Sequence, residues 1–394
     1  MSERKTFTPP RIWVFESPQS GDNTQLRALI EALGLPVEMK RFAFRPLEWL
    51  PRILLGATLR SIDRAKSSSL DPPYPDLIII AGRGNEGVAF WVRRNLNPAL
   101  RLVFVGMPWA RVDQFDLVIT TPQYRLPVAP NVLHNELPMH DVAPQRLATS
   151  ASMWQPTFAG LPKPWIAVLV GGRSGPYVFG PDAARRLARA ISDRARKLGC
   201  SLLVTTSART PQAAAETLFA GIDVPFHGHR WQGVNSTNPF HAYLALADEV
   251  IVTADSISMI TEACATGKPT YLFDIEEGQR SMRAEEAMAR TGAKLPAPYW
   301  KGADLESTLW RIGLRFGPDW WTRDIRIVHR ALTASNRVAW LGEPPLQPRA
   351  ADPMQDLHRA VARIRSLMDL PQGTAYQNVE TGENSRLAPS PGMD

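Results

Sequence analysis

Short, unbroken apolar runs recur along this 394-residue chain. Most are closed by a polar loop and followed by apolar residues at helical spacing. In the first half the runs are Ile12–Phe15, Val37–Phe42, Leu77–Ile80, Leu102–Val105 and Leu117–Ile119, with helices predicted over Leu26–Leu33 and from Val88. In the second half they are Trp165–Val170, Ser201–Thr205, Val250–Val252 and Thr270–Phe273, with helices over Pro181–Leu198 and His241–Ala247. Strands that are apolar on both faces and alternate with helices predict parallel sheets covered on both sides. The fold class is therefore α/β, with two Rossmann-like doubly wound domains. The Pro- and Gly-containing stretch Trp154–Pro164 is the expected linker, dividing the chain into an N-terminal domain at 1–155 and a C-terminal one at 156–330. Helices over Asp304–Phe316 and Trp321–Leu332 close the second domain. Residues 331–370 are expected to cross back to the first domain, and the polar 371–394 to form a disordered tail. Pro122–Pro144 and Phe226–Phe240 carry no clear period.

The stretch from Val250 to Pro269 organises the second domain. A β-branched strand runs into a helix with Asp255 and Ser256 at its start and Gly267 at its stop, and a helix start gathers unpaired N–H groups that suit a phosphate. Glu262 follows Asp255 by seven residues, two turns along the same face, within reach of a sugar hydroxyl. Two further loops at strand ends should converge there. Gly171-Gly172-Arg173-Ser174 and Thr206-Ser207-Ala208-Arg209 offer backbone amides, hydroxyls and two arginines, a set suited to a diphosphate. In the first domain, the loops Glu16–Gln25 and Ala81–Gly87 occupy equivalent strand ends, where α/β sheets bind ligands. Neither is a dinucleotide fingerprint or a Walker loop.

Composition narrows the partners. The formal net charge of +7 favours an anionic one. The basic residues are dispersed and no nucleic-acid module is evident, so nucleic acid ranks low. Lys40–Lys66 interleaves seven basic residues with Phe42, Phe44, Trp49 and several leucines. That composition suits an anionic membrane surface or a lipid acceptor, and equally an amphipathic helix packed on the domain. The two cysteines, Cys200 and Cys264, lack metal-ligand spacing and point to buried thiols in a reducing compartment. With no apolar leader core and no membrane-spanning run, the expected location is cytoplasmic, peripheral on the inner face of the cytoplasmic membrane.

Several motifs resemble one family. They are Ser20-Gly21-Asp22-Asn23-Thr24-Gln25, Ala81-Gly82-Arg83, Val168 to Ser174, Thr205 to Pro211, Asn238-Pro239-Phe240 and Val252 to Ala263. Together they resemble the ELM1-like family, which includes plant mitochondrial-fission proteins and bacterial proteins regarded as glycosyltransferases of the GT-B architecture. The family's lysine before the first helix is absent here, and one of its two arginines is Ala208. The second-domain helix also resembles the nucleotide-binding helix of the lipid-linked peptidoglycan GlcNAc transferase. That resemblance implies a ribose role for Glu262 and places Ser256 and Ser258 beside the donor diphosphate.

The resemblance implies a metal-independent transferase with no cofactor. It would use a nucleotide sugar, UDP-linked by analogy, and a membrane-associated lipid or envelope-glycan acceptor. Donor-side candidates are Gly171, Gly172, Arg173, Ser174, Thr206, Ser207, Arg209, Asn238, Asp255, Ser256, Ser258, Met259 and Glu262. Acceptor-side candidates are Ser20, Gly21, Asn23, Gln25, Gly82 and Arg83. Asp22, on the loop expected to face the cleft, is the candidate base, with His134, His140 and His229 as rivals. Two other functions fit the same fold: a non-hydrolysing sugar-nucleotide 2-epimerase, and a non-catalytic adaptor recruited to a membrane. The sequence leaves the oligomeric state open.

Overall fold

The computed structural model describes residues 9–18, 20–45, 56–233, 237–284, 302, 304–318, 322–344, 346 and 354–371. Two six-stranded parallel sheets dominate it. The first orders its strands β2-β1-β3-β4-β5-β6, from Ile12–Phe15 (β1), Val37–Lys40 (β2), Leu77–Ala81 (β3), Arg101–Val105 (β4), Leu117–Thr120 (β5) and Val132–His134 (β6). The second contains Trp165–Val170 (β7), Ser201–Thr206 (β10), Phe226–His229 (β11), Glu249–Thr253 (β12), Thr270–Phe273 (β13) and Ala339–Trp340 (β14). Its order is β11-β10-β7-β12-β13-β14. A short antiparallel hairpin, Arg173–Ser174 (β8) with Tyr177–Val178 (β9), projects from the loop after β7.

The apolar runs are continuous because both faces of each sheet are covered. Along β3, Leu77, Ile79 and Ala81 pack with Leu26, Leu29 and Leu33 of the helix Ser20–Leu33 (α1), while Ile78 and Ile80 pack with Val88 and Val92 of Glu86–Asn95 (α2). All six residues of β7 are buried in the second core. In each sheet the strand order reverses at one place, between β1 and β3 and between β7 and β12. At such a point the loops leave the sheet in opposite directions and open a crevice at the strand ends.

Several elements differ from the sequence reading. The loop expected over Glu16–Gln25 is helix from Ser20, because Asn23 folds back on Ser17 and lets the turn begin early. β6 and β11 lie in stretches without a clear period; both are edge strands, so only one flank of each is paired. The boundary at 155/156 falls inside the helix Pro144–Phe158 (α3), whose Trp154 and Phe158 pack on the second core. Apart from these differences, the last helix, Gln355–Leu367 (α10), lies on the first domain: Leu357, Ala360 and Ile364 join the core beside α1, and Arg365 donates to Leu33 O at 2.9 Å. The charged stretch after β13 forms a single 3₁₀ turn at Gly278–Arg280 in its described part, and 372–394 lies outside the described residues.

The Lys40–Lys66 segment is not an amphipathic helix where it is described. It runs extended to Arg45, bridges Phe44 to Ile62, and ends in a 3₁₀ turn at Arg64–Lys66; 46–55 lies outside the described residues. Phe42 and Ile62 are buried in the core, and Lys40 is buried against Glu38 and Ser69 O at 2.6 and 2.8 Å. Its described apolar residues are thus used by the protein's own interior.

Candidate functional site

The two strand-order reversals face each other. A Cβ placed on Gly21, in the first turn of α1, would lie 3.7 Å from Ser258 Oγ in the first turn of Ile257–Ala265 (α7). Two helix N-termini, one from each domain, therefore open on the same cleft, and both carry partial positive charge.

On the second-domain wall the three expected loops do converge, and they are tightly wired. Gly171 N donates to Thr253 Oγ1 at 2.7 Å and Gly172 N to Asp255 Oδ2 at 2.8 Å. Ser207 Oγ donates to Gly171 O at 3.1 Å, and Thr210 Oγ1 also bonds Gly171 O. The glycines are required by this packing: a Cβ on Gly171 would fall 2.3 Å from Asp255 Oδ2, and one on Gly172 1.9 Å from Arg209 O. Ser256 holds the N-cap position of α7, but its side chain and that of Asp255 do not cap it. Asp255 instead anchors the Gly172 loop, because its buried carboxylate is the acceptor nearest that amide. Burial pushes its pKa up, opposed by Arg209 and by the Gly172 amide.

The two arginines expected to meet a diphosphate are engaged. Arg173 pairs with Asp304, and with Glu306 at 3.1 Å, at the start of the helix Leu305–Phe316 (α8). Arg209 donates to Arg173 O at 2.9 Å and Ser256 Oγ at 3.1 Å, and stands 3.7 Å from Asp255. Thr206 accepts from Trp231 N at 3.0 Å. Asn238 is exposed and accepts from Phe240 N at 3.0 Å, holding the entry to the helix Phe240–Leu246 (α6) rather than joining the loops. Met259 packs on the second core, and Ser174 accepts from Arg323.

Glu262 is buried on α7, its pKa pushed up to about 8 by burial and by the nearby Asp141 charge. Asp141 lies in the crossing between the domains, close to Arg146 and His241. No hydrogen bond among the described residues reaches the Glu262 carboxyl. At neutral pH it is largely protonated and can donate as well as accept.

On the first-domain wall, Ser17 Oγ donates to Asp22 Oδ2 at 2.8 Å. Burial raises the Asp22 pKa, against that hydrogen bond and the charges of Arg323 and Arg83. Asn23 clamps Ser17, accepting from its N and donating to its O, both at 2.8 Å. Gly82 adopts φ +79°, and a Cβ there would sit 2.5 Å from Ser17 Oγ. Arg83 donates to Met107 O at 3.1 Å and covers the Trp109 ring, and burial lowers its pKa. Gln25 is half-buried on α1, and Ser20 begins that helix. Of the rival bases, His134 is held at 3.3 Å from Pro127 O, His140 is buried and bonded by Val142 N, and burial lowers the His229 pKa.

Sequence reasoning missed Arg323. It lies just before the helix Arg326–Ala334 (α9), yet it reaches Ser174 and acts on Asp22, so one cation serves both walls. No loop motif marks it; only the return of the chain through 322–324 places it. That return is fixed by Asp324 N donating to Gln123 O at 2.9 Å and Arg125 donating to Thr322 Oγ1 at 3.1 Å. Among the described residues no group of three or more His, Cys, Asp or Glu side chains could hold a metal ion.

Comparison with known proteins places this chain. A profile described as "Mitochondrial fission ELM1" matches residues 20–309. The chain belongs to that family. It is 28% identical over 286 residues to the Arabidopsis thaliana mitochondrial fission protein ELM1, a match covering 65% of this chain and 66% of the plant protein, just under two thirds of its length. An uncharacterised Rickettsia prowazekii protein is 25% identical over 294 residues, covering 66% of this chain and 82% of that one. Among solved structures, the UDP-GlcNAc 2-epimerase of Methanocaldococcus jannaschii aligns with a TM-score of 0.42 at 12% identity, covering 82% of this chain and 99% of that one. Likeness at that level carries no argument about the reaction. The family member described here has the GT-B-like arrangement of two Rossmann-like domains facing a cleft.

Proposed function

We propose that this protein is a nucleotide-sugar-dependent glycosyltransferase whose donor and acceptor meet between the two strand-order reversals. The observation that carries the reading is the apposition of Gly21 and Ser258, which brings together the N-termini of two helices, one from each domain. The Gly171–Ser174, Thr206–Thr210 and Asp255–Ser258 loops form the donor wall, and α7 presents the amides for a diphosphate. Glu262, protonated and buried, suits paired hydrogen bonds to a ribose. Asp22 is the base for an acceptor hydroxyl: its raised pKa brings it closer to neutrality than an ordinary aspartate, and Ser17 orients it. Arg323 supplies charge where a leaving diphosphate develops it. No metal or cofactor is assigned a role, and UDP is the nucleotide to test first.

A second reading also has an observation behind it. Arg173 and Arg209 are held by protein partners, which suits an adaptor that keeps the fold without turnover. A thermal-shift panel of UDP, GDP, CDP, ADP and their sugars, on the native protein and Glu262→Ala, separates the two. Stabilisation by one nucleotide class, about 2.7 kcal/mol at a hundred-fold excess over Kd, and lost in the variant, supports the transferase. No stabilisation by any nucleotide at millimolar concentration overturns it and leaves the adaptor.

A further inference from the structure

One arginine at the cleft differs from the rest. Arg173 and Arg209 are taken up by protein partners, and Arg323 reaches Ser174. Arg83 donates through Nε alone, to Met107 O at 3.1 Å. The guanidinium is half-buried, yet its two terminal nitrogens have no hydrogen bond and no ion pair among the described residues. The carboxyls nearest it do not close the fork: Asp22 is bonded by Ser17, and Glu86 has both oxygens on backbone amides. Arg323 adds a like charge nearby. Arg83 also stands close to the candidate base. A Cβ on its neighbour Gly82 would lie 2.5 Å from Ser17 Oγ, which holds Asp22 at 2.8 Å. A planar guanidinium with an open fork is suited to grip a carboxylate or a phosphate through two parallel hydrogen bonds.

Arg83 also covers the ring of Trp109, whose centre is 5.6 Å from the guanidinium. Trp109 is 39% exposed; it and Trp231, at 40%, are the exposed tryptophans among the described residues. Its ring meets solvent while its backbone is pinned. Gly106, at φ +106°, turns the chain out of β4. The buried Glu86 then takes Trp109 N at 2.7 Å and Ala110 N at 2.9 Å, one on each carboxylate oxygen. Burying that carboxyl costs free energy, and neither oxygen serves Asp22 or the donor wall. What it fixes is the place of the indole. An exposed aromatic already held in position loses little freedom when a ligand docks on it. A pyranose offers a face of C–H groups, apolar and faintly positive, which suits the negative face of an indole.

We infer that Arg83 and Trp109 form the acceptor subsite, and that the acceptor is an anionic sugar, a pyranose bearing a carboxylate or a phosphate. Trp109 takes the face of the ring and Arg83 takes the anion, on the same wall as Asp22. The inference rests on the transferase reading and deepens it by naming the class of acceptor.

The test is a ligand-observed NMR titration of the full chain, with and without millimolar UDP. The probes are methyl glucuronide for the carboxylate, glucose 6-phosphate for the phosphate, methyl glucoside as the neutral ring and inorganic phosphate as the bare anion. The native protein is compared with Trp109→Ala, Trp109→Phe and Arg83→Gln. At least one anionic sugar should bind about ten-fold more tightly than the neutral ring or bare phosphate, and which one does identifies the anion. Trp109→Ala should weaken that binding about ten-fold, and Trp109→Phe should largely restore it. Arg83→Gln should abolish the preference for a charged ring. Trp109 is exposed, so its two variants should melt with the native protein; if Arg83→Gln melts lower, the Trp109 pair decides. Equal affinity for charged and neutral rings overturns the inference. So does binding that Trp109→Ala leaves intact, or no binding of either anionic sugar. Nucleotide thermal shifts on the same variants keep the two proposals apart. A UDP shift without sugar binding overturns this subsite alone, whereas sugar binding without any nucleotide shift sinks the transferase and leaves Arg83 and Trp109 as a sugar site.

Discussion

The two walls of the cleft are built on the same plan and wired in opposite ways. Each places a Gly-containing loop and a helix N-terminus where its strand order reverses. On the second-domain wall the polar groups close on one another: Thr253 and Asp255 take the amides of Gly171 and Gly172, and Ser207 and Thr210 take the Gly171 carbonyl. On the first-domain wall Asp22 is kept part-buried, with one hydroxyl oriented on it and two arginine charges nearby. A wall that must hold a ligand in register gains from rigidity. A wall that must move a proton needs a group whose ionisation the surroundings can set.

Breaking the rigid wall should cost most. Gly172→Ala drives a Cβ into the Arg209 backbone carbonyl, and destabilisation of about 3 kcal/mol or more is expected by chemical denaturation. Gly82→Ala meets the Ser17 Oγ, a side-chain atom, rather than backbone, but at φ +79°; about 1–2 kcal/mol is expected. Asp255→Ala leaves the buried Gly172 amide without its acceptor, an expected loss of about 1–3 kcal/mol.

Subtler changes sharpen the contrast through pH. Glu262 has a folded pKa raised from 4.5 to about 8, so the folded state holds its proton longer than the unfolded chain does. Its contribution is fully present below about 4.5 and is lost as pH rises through about 8. Stability should therefore fall across that window, and Glu262→Gln should flatten the slope in melts recorded at several pH values. Ser17→Ala removes the hydrogen bond that lowers the Asp22 pKa. The acidic limb of a transfer rate profile should then move to higher pH, with stability changed by no more than about 1 kcal/mol. Gly21→Ala should be the mildest, within about 0.5 kcal/mol, because its Cβ makes ordinary contact with Ser258.

Local signals reveal most of the fold. β3 and β7 are buried on both faces and so announce themselves as unbroken apolar runs, and Gly267 marks the end of α7 correctly. β6 and β11 were missed because an edge strand needs no such run. The rigid wall was legible as three loops, but the state of its arginines was not. Arg173 looks like an anion ligand until α8, more than a hundred residues later, brings Asp304 and Glu306 against it. Arg323 was hidden for the converse reason: its role depends on where the chain returns, through contacts with Gln123 and Arg125 that no local pattern encodes. In Lys40–Lys66, whose composition fits a membrane face, the described part packs Phe42 and Ile62 inward, while 46–55, with most of the segment's apolar residues, lies outside the described residues.

The central claim is that both walls grip one nucleotide-sugar ligand. Hydrogen–deuterium exchange of the full chain with and without a saturating UDP-sugar tests it directly. The account predicts simultaneous protection of the amides around Ser20–Gln25 and around Asp255–Glu262, with little change in β3 and β7. Protection confined to one wall, or none in either, would contradict it.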